Sequence, residues 1–323
     1  MNNYNKSTDN FFTSENLNRL AEKRSDEIWI NGQLVNPTTL FIPFWQGKNL
    51  FNVAGSEPKL VSMKKKELEN FSNDSFPFTL LGELNNKIYF SFSLNECNSD
   101  IDKEFSSFGI FASLRRYASL LNRDEASLAA YSNVLSNWQN THRFCGNCGS
   151  KTNLVLGGHR LDCSGPNCNQ QIFPRTDPAI ITLVYKDDKC LLVRQPHWQP
   201  SQYAIVAGFV EPGESLESAV AREIFEETGI EVTDIDYFSS QPWPFPGSIM
   251  LGFTAKAITD KITLHDKELQ DAKWLTRDEI IDGLKNRSLK SPTSFSIAFR
   301  LLENWFDNYS NKKLSEIILQ LNK

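Results

Sequence analysis

The sequence lacks most of what would tie a chain to a membrane, to an oxidising compartment or to a polyanion. No apolar run approaches the roughly 18 residues of a membrane span, and the opening MNNYNKSTDN lacks the apolar core of a signal peptide. The ending Leu321-Asn322-Lys323 is not a peroxisomal tripeptide. A cytoplasmic location without membrane contact is therefore expected, and in a reducing cytosol six cysteines seldom mean a disulfide framework. Excess charge is missing as well. A net charge of −5 gives no overall attraction to nucleic acid or anionic lipid, although a local basic surface stays open. There are no internal repeats, which excludes a repeat architecture.

What is present is the composition of an ordinary soluble globular protein, 40% hydrophobic and 23% charged. Its 323 residues suffice for two domains and a small third module. Residues 1–20 read as a frayed polar start. EIWINGQLVNP, from Glu27 to Pro37, reads as a hairpin with Asn31-Gly32 at its turn. A second hairpin places Phe78–Leu81 and Lys87–Leu94 around Asn85-Asn86. Helical patterns follow, one from about Phe108 to Leu121, the other where Leu128, Tyr131, Leu135 and Trp138 form one apolar stripe. Residues 21–140 thus predict a small α+β domain with no motif tied to chemistry. Further on, AIITLVY (179–185) and KCLLVRQ (189–195) read as buried strands joined by Asp187-Asp188, and YAIVAGF (203–209) as a third. Ser215–Thr228 is the strongest helical segment, with Gly229 as its stop.

Residues 141–175 change character. Cys145-Gly-Asn-Cys148 and Cys163-Ser-Gly-Pro-Asn-Cys168 form two knuckles with fourteen residues between them, and Gly146, Gly149 and Gly165 permit tight turns. Four thiolates make a closed tetrahedral site for one structural Zn²⁺, with no open position for substrate. The alternative is free or disulfide-bonded thiols. His142 and His159 read as surface residues beside a filled site, and Cys97 and Cys190 as small apolar fillers.

In the helix at 215–228, Glu223, Glu226 and Glu227 fall at i, i+3 and i+4, so their carboxylates share one face. Leu216, Ala219, Val220, Ile224 and Phe225 lie at other angles and can pack on a sheet. Crowded carboxylates repel one another unless a hard divalent cation such as Mg²⁺ or Mn²⁺ is present, and such ions serve pyrophosphate cleavage. By themselves the three glutamates fit a solvated acidic face better than a metal site. Similarly, in Ser240-Gln-Pro-Trp-Pro-Phe-Pro-Gly-Ser248 the prolines fix three φ angles and predict an extended, stiff segment. Trp243 and Phe245 either border a flat ligand or are buried by a rigid connector.

The surrounding pattern resolves both. Residues 208–230 read Gly-x5-Glu-x7-Arg-Glu-apolar-x-Glu-Glu-x-Gly-apolar, which resembles the Nudix box at every fixed place. SQPWPFP shortly after that box, with a four-cysteine ribbon just before the domain, resembles the NADH pyrophosphatase branch of Nudix hydrolases. The resemblance implies an α/β fold: a Nudix α/β/α sandwich at 176–323, preceded by a zinc ribbon (141–175) and the small α+β N-terminal domain. It implies hydrolysis of NAD(H) to nicotinamide mononucleotide and AMP, using several Mg²⁺ or Mn²⁺ ions, in a homodimer. NADH, NAD⁺ and related dinucleotides would be substrates. Removal of NAD caps from RNA 5′ ends through the same site is an alternative, and a non-catalytic nucleotide-binding module is another. Glu223, Glu226 and Glu227 would bind the ions, with Glu226 and Glu227 as catalytic residues. The Ala207 carbonyl and Glu268 would be further ligands, and Arg222 would pair with Glu214. Phe209 would stack on a base, Phe173 would do so from the other subunit, and Gln241, Pro242, Trp243, Pro244, Phe245, Pro246, Gly247, Ser248 and Ala298 would line the pocket.

Overall fold

The computed structural model describes residues 3–68, 71, 77–95, 100–265, 268–308, 310 and 312–321. Cys97 lies outside the described residues. The chain divides into two compact units, each with its own sheet and core.

In the unit containing most residues from Asp177 onward, the long strand Asp177–Lys186 sets the architecture. It pairs in parallel with Ser248–Ala257, and in antiparallel fashion with Lys189–Arg194 and Val206–Phe209. Val232–Trp243 and Asp271–Thr276 complete the six strands that the described residues form. Side chains alternate along a strand, so neighbours face opposite ways. Ile180 and Val184 join Ala219, Val220 and Ile224 of the helix Leu216–Thr228 in one core. Ile181 and Leu183 join Ile280, Leu301, Leu302 and Phe306, from the helices Arg277–Lys285 and Ile297–Asp307, in another. This is the expected α/β/α sandwich. Cys190 is fully buried in the second core, where burial pushes its thiol up, as an apolar filler should behave. The third strand is shorter than the pattern suggested. Only Val206–Phe209 is strand, because Ala204 bridges Val193 instead.

The other unit holds a sheet in which Leu40–Trp45 lies parallel to Lys87–Ser93 and antiparallel to Lys48–Asn52. Phe78–Leu84 and Lys87–Ser93 make the predicted hairpin, with Asn85 and Asn86 at φ 51° and 60°. The helix Arg123–Thr141, capped by Asn122, confirms the second helical stripe. Three expectations fail. Residues 27–37 are no hairpin: Asp26 accepts from Trp29 N and starts the helix Glu27–Val35, whose Trp29, Ile30 and Leu34 pack on the core. Phe108–Leu121 is not one helix. Ile110–Ala112 pairs with Lys48–Asn52, and only Leu114–Tyr117 and a following turn are helical. Among the described residues of the polar start fraying is not seen, since Asn3–Thr8 is helical and the Asn10 amide donates to Ser239 Oγ and Ser240 O. Phe12 is 3% exposed.

His159 corrects a further expectation, because it is buried. Its Nε2 lies 2.7 Å from the Leu80 carbonyl, which can only accept, so Nε2 carries the proton. Burial, seconded by Arg24 and Arg19, lowers its pKa from 6.5 to about 4. The unfolded chain therefore binds the extra proton first, and stability present above pH 6.5 is lost as pH falls towards 4. Over that window this contributes up to about 3 kcal/mol. In urea titrations at saturating zinc, His159→Gln should remove that part of the pH slope. Parallel slopes for the two chains would contradict the assignment.

Candidate active site and zinc ribbon

The zinc ribbon is built on three antiparallel strands, Thr152–Val155, Arg160–Cys163 and Gln171–Ile172. Its knuckles bring the Sγ atoms of Cys145, Cys148, Cys163 and Cys168 within 4.8 Å of one another. Cys145 and Cys168 are 3.8 Å apart, and Cys148 and Cys163 3.3 Å. Zn–S bonds of about 2.3 Å in a tetrahedron put sulfurs about 3.8 Å apart, so the cluster fits the ion. Gly165 N donates to Cys163 Sγ, and a Cβ at Gly165 would stand 3.1 Å from Cys148 Sγ. His142 and His159 are not in this set. Nδ1 of His142 faces the Trp138 carbonyl, and His159 is held as described.

The second site lies on the helix Leu216–Thr228. Ser215 caps its start and Gly229, at φ 68°, closes it. Arg222 is its organising residue. Nε and Nη2 form a bidentate pair with Glu214 at 3.1 and 2.6 Å, and Nη2 also donates to the Phe209 carbonyl. Nη1 donates to Glu223 at 2.9 Å and Glu226 at 3.0 Å. The Glu214 carboxylate in turn accepts from Glu211 N, which closes the loop preceding the helix. Arg222 holds the Glu214 carboxyl below the usual carboxylate range. Glu223 goes the other way: burial raises its pKa against the pull of Arg222, and Glu226 and Glu268 raise it further. Glu268 is thus within electrostatic reach of the helix, while its side chain is exposed. Glu227 is 4% exposed. Gly208 follows Ala207 on the strand Val206–Phe209, and a Cβ there would collide with the Glu223 carboxylate.

These groups suit a hard cation: carboxylate oxygens crowd around a partly buried member whose charge costs free energy. Among the described residues the glutamates do not converge as tightly as the cysteines. One Arg222 nitrogen bridges Glu223 and Glu226.

The remaining candidates fall into different settings. Phe209 and Phe173 are exposed rings, 61% and 55%. Gln241 is fully buried. Its amide donates to the Phe295 and Phe11 carbonyls and accepts from Ile297 N, where the helix containing buried Ala298 begins. Pro244–Gly247 is a turn between two strands rather than an extended segment, and Ser248 opens the second strand. Trp243 and Phe245 meet edge to face at 5.2 Å. Phe12 packs on both rings, and the Arg115 guanidinium lies 4.5 Å from the Phe245 centroid. Phe12 and Arg115 were not singled out in the sequence. They stand more than a hundred residues away, and no local pattern marks them.

Comparison with known proteins agrees with this geometry. Residues 175–294 match the NUDIX domain, and residues 140–173 the NADH pyrophosphatase zinc ribbon domain. The chain is 30% identical to the NAD-capped RNA hydrolase NUDT12 of Macaca fascicularis, over 92% of this chain and 73% of that protein. It is also 30% identical to the NAD-capped RNA hydrolase NPY1 of Saccharomyces cerevisiae, over 93% and 96%. The NAD-capped RNA hydrolase NudC of Stutzerimonas stutzeri is 40% identical over 52% of this chain and 60% of its own length. The chain belongs to the Nudix hydrolases, within their NADH pyrophosphatase family.

Two outcomes follow. Gly208→Ala should displace the Glu223 carboxylate and lower phosphohydrolase turnover by about 10²-fold with little change in Tm; unchanged turnover would show that Glu223 is not needed where it stands. Cys168→Ser should lower zinc, measured by atomic absorption, from about one ion per chain to almost none. Full retention of zinc would remove Cys168 from the ligand set.

Proposed function

We propose that this chain hydrolyses the pyrophosphate of NAD(H), releasing nicotinamide mononucleotide and AMP. The observation that carries the reading is the Arg222-centred array of Glu214, Glu223 and Glu226 against Gly208, in a chain with the NADH pyrophosphatase ribbon. Glu223, Glu226 and Glu227 would hold Mg²⁺ or Mn²⁺, with the Ala207 carbonyl and Glu268 as further ligands. When bound, such ions neutralise the pyrophosphate and acidify a water for attack on phosphorus. Glu227, being buried, is the carboxylate best shielded from solvent and is assigned the proton-accepting role beside that water. Arg222 ties the loop, through Glu214 and the Phe209 carbonyl, to the acidic helix.

Phe209 is assigned to stacking on a base, and Phe173 to the same task from a second copy of the chain, which makes the homodimer part of the proposal. Trp243 and Phe245 would border the dinucleotide with Pro242, Pro244, Pro246, Gly247 and Ser248. Gln241 and Ala298 would act through the buried backbone that they secure. A second substrate is favoured by the names of the relatives: the NAD cap of an RNA 5′ end would enter the same site. No helix among the described residues is long and apolar enough to cross a membrane, and we place the enzyme in the cytoplasm.

Glu227→Gln should reduce AMP release from NADH by roughly 10³-fold, with zinc content and Tm retained. Near-normal turnover in that variant would remove Glu227 from the catalytic set.

A further inference from the structure

The ribbon-containing unit carries a groove of about 320 Å³ that the proposed chemistry does not use. Ser93, Asn140, Arg143, Phe144, Lys151 and Thr152 are among its lining residues, and none of the described lining side chains is acidic. In a chain of net charge −5 this is a local departure. Arg143 and Lys151 are the cations of its described lining, while Arg160, elsewhere on the ribbon, is engaged by Asp162 at 2.7 Å.

The groove also has a built frame. Phe144 and Lys151 form an antiparallel bridge, which sets their side chains on one face with Cβ atoms about 5 Å apart. Cys145 N donates to Ser150 O and Thr152 N to Arg143 O, so the pair sits on the stem of the first zinc knuckle. Despite this rigid setting the Phe144 ring is 59% exposed. An exposed ring on one face with a lysine, with amide and hydroxyl groups in the same lining, is an arrangement suited to single-stranded nucleic acid: bases stack on the ring and phosphates meet the cations.

We infer that this groove binds single-stranded RNA, with a base on Phe144 and the backbone along Lys151 and Arg143. The inference rests on the capped-RNA reading above and adds to it a second, sequence-tolerant contact.

The test uses the full zinc-loaded chain and the variants Phe144→Ala and Lys151→Glu, with zinc content and Tm checked. Binding of a capped oligonucleotide of about 12 residues, followed by fluorescence anisotropy without divalent cation, should weaken about tenfold in each variant. In turnover assays kcat/KM for the capped oligonucleotide should fall comparably, while kcat/KM for NADH stays unchanged. Unaltered RNA binding in both variants would overturn the inference, as would an equal loss on NADH. So would conversion of an oligomer to a monomer by Lys151→Glu, which would make the groove a contact between copies. Absence of NADH hydrolysis by the unaltered chain would instead defeat the proposed function, and the anisotropy comparison would still judge the groove.

Discussion

One guanidinium sets the order of the acidic site. Arg222 reaches the loop before its helix through Glu214 and the Phe209 carbonyl, and the helix face through Glu223 and Glu226. Without it, three glutamates within five residues would repel one another and the Glu211–Glu214 loop would lose its anchor. With it, the loop, the strand end at Gly208 and the helix become one piece, and Glu223 is pressed into a position whose burial raises its pKa. That position costs stability. A partly desolvated carboxylate whose pKa is raised by burial and by neighbouring acids is the kind of group that clusters at functional sites.

The two clusters of ligand-type side chains differ in chemistry. Four sulfurs already close to tetrahedral spacing offer a soft, closed site that can only be structural. Carboxylate oxygens on the helix offer a hard, open one. Zinc secures the stem that carries Phe144 and Lys151, so the ribbon presents a rigid surface at little conformational cost.

The parts legible in the sequence were those whose physics is local. The i, i+3, i+4 spacing of Glu223, Glu226 and Glu227 and the Ser215 and Gly229 caps specify the acidic helix within a single segment. The knuckles likewise need only a few residues each. Misreadings arose where distant partners decide. Ile28-Trp29-Ile30 before Asn31-Gly32 reads like a strand entering a turn, yet the Asp26 cap and the N-terminal core select a helix. Ile110–Ala112 sits in a helical pattern, yet an open edge beside Lys48–Asn52 recruits it as a strand. His159 gave no sign of burial because Leu80, its acceptor, is far away in sequence. Phe12, part of a polar-looking start, could not be foreseen as the packing partner of Trp243 and Phe245.

The central claim is that the Arg222-ordered carboxylates serve water attack on a dinucleotide pyrophosphate. Mass analysis of the products formed from NADH in H₂¹⁸O with Mn²⁺ tests it most directly. The account predicts AMP and reduced nicotinamide mononucleotide, with one ¹⁸O in the phosphate of one of the two products. Release of free nicotinamide with an intact ADP-ribose product, or no turnover at any Mn²⁺ or Mg²⁺ concentration, would contradict it.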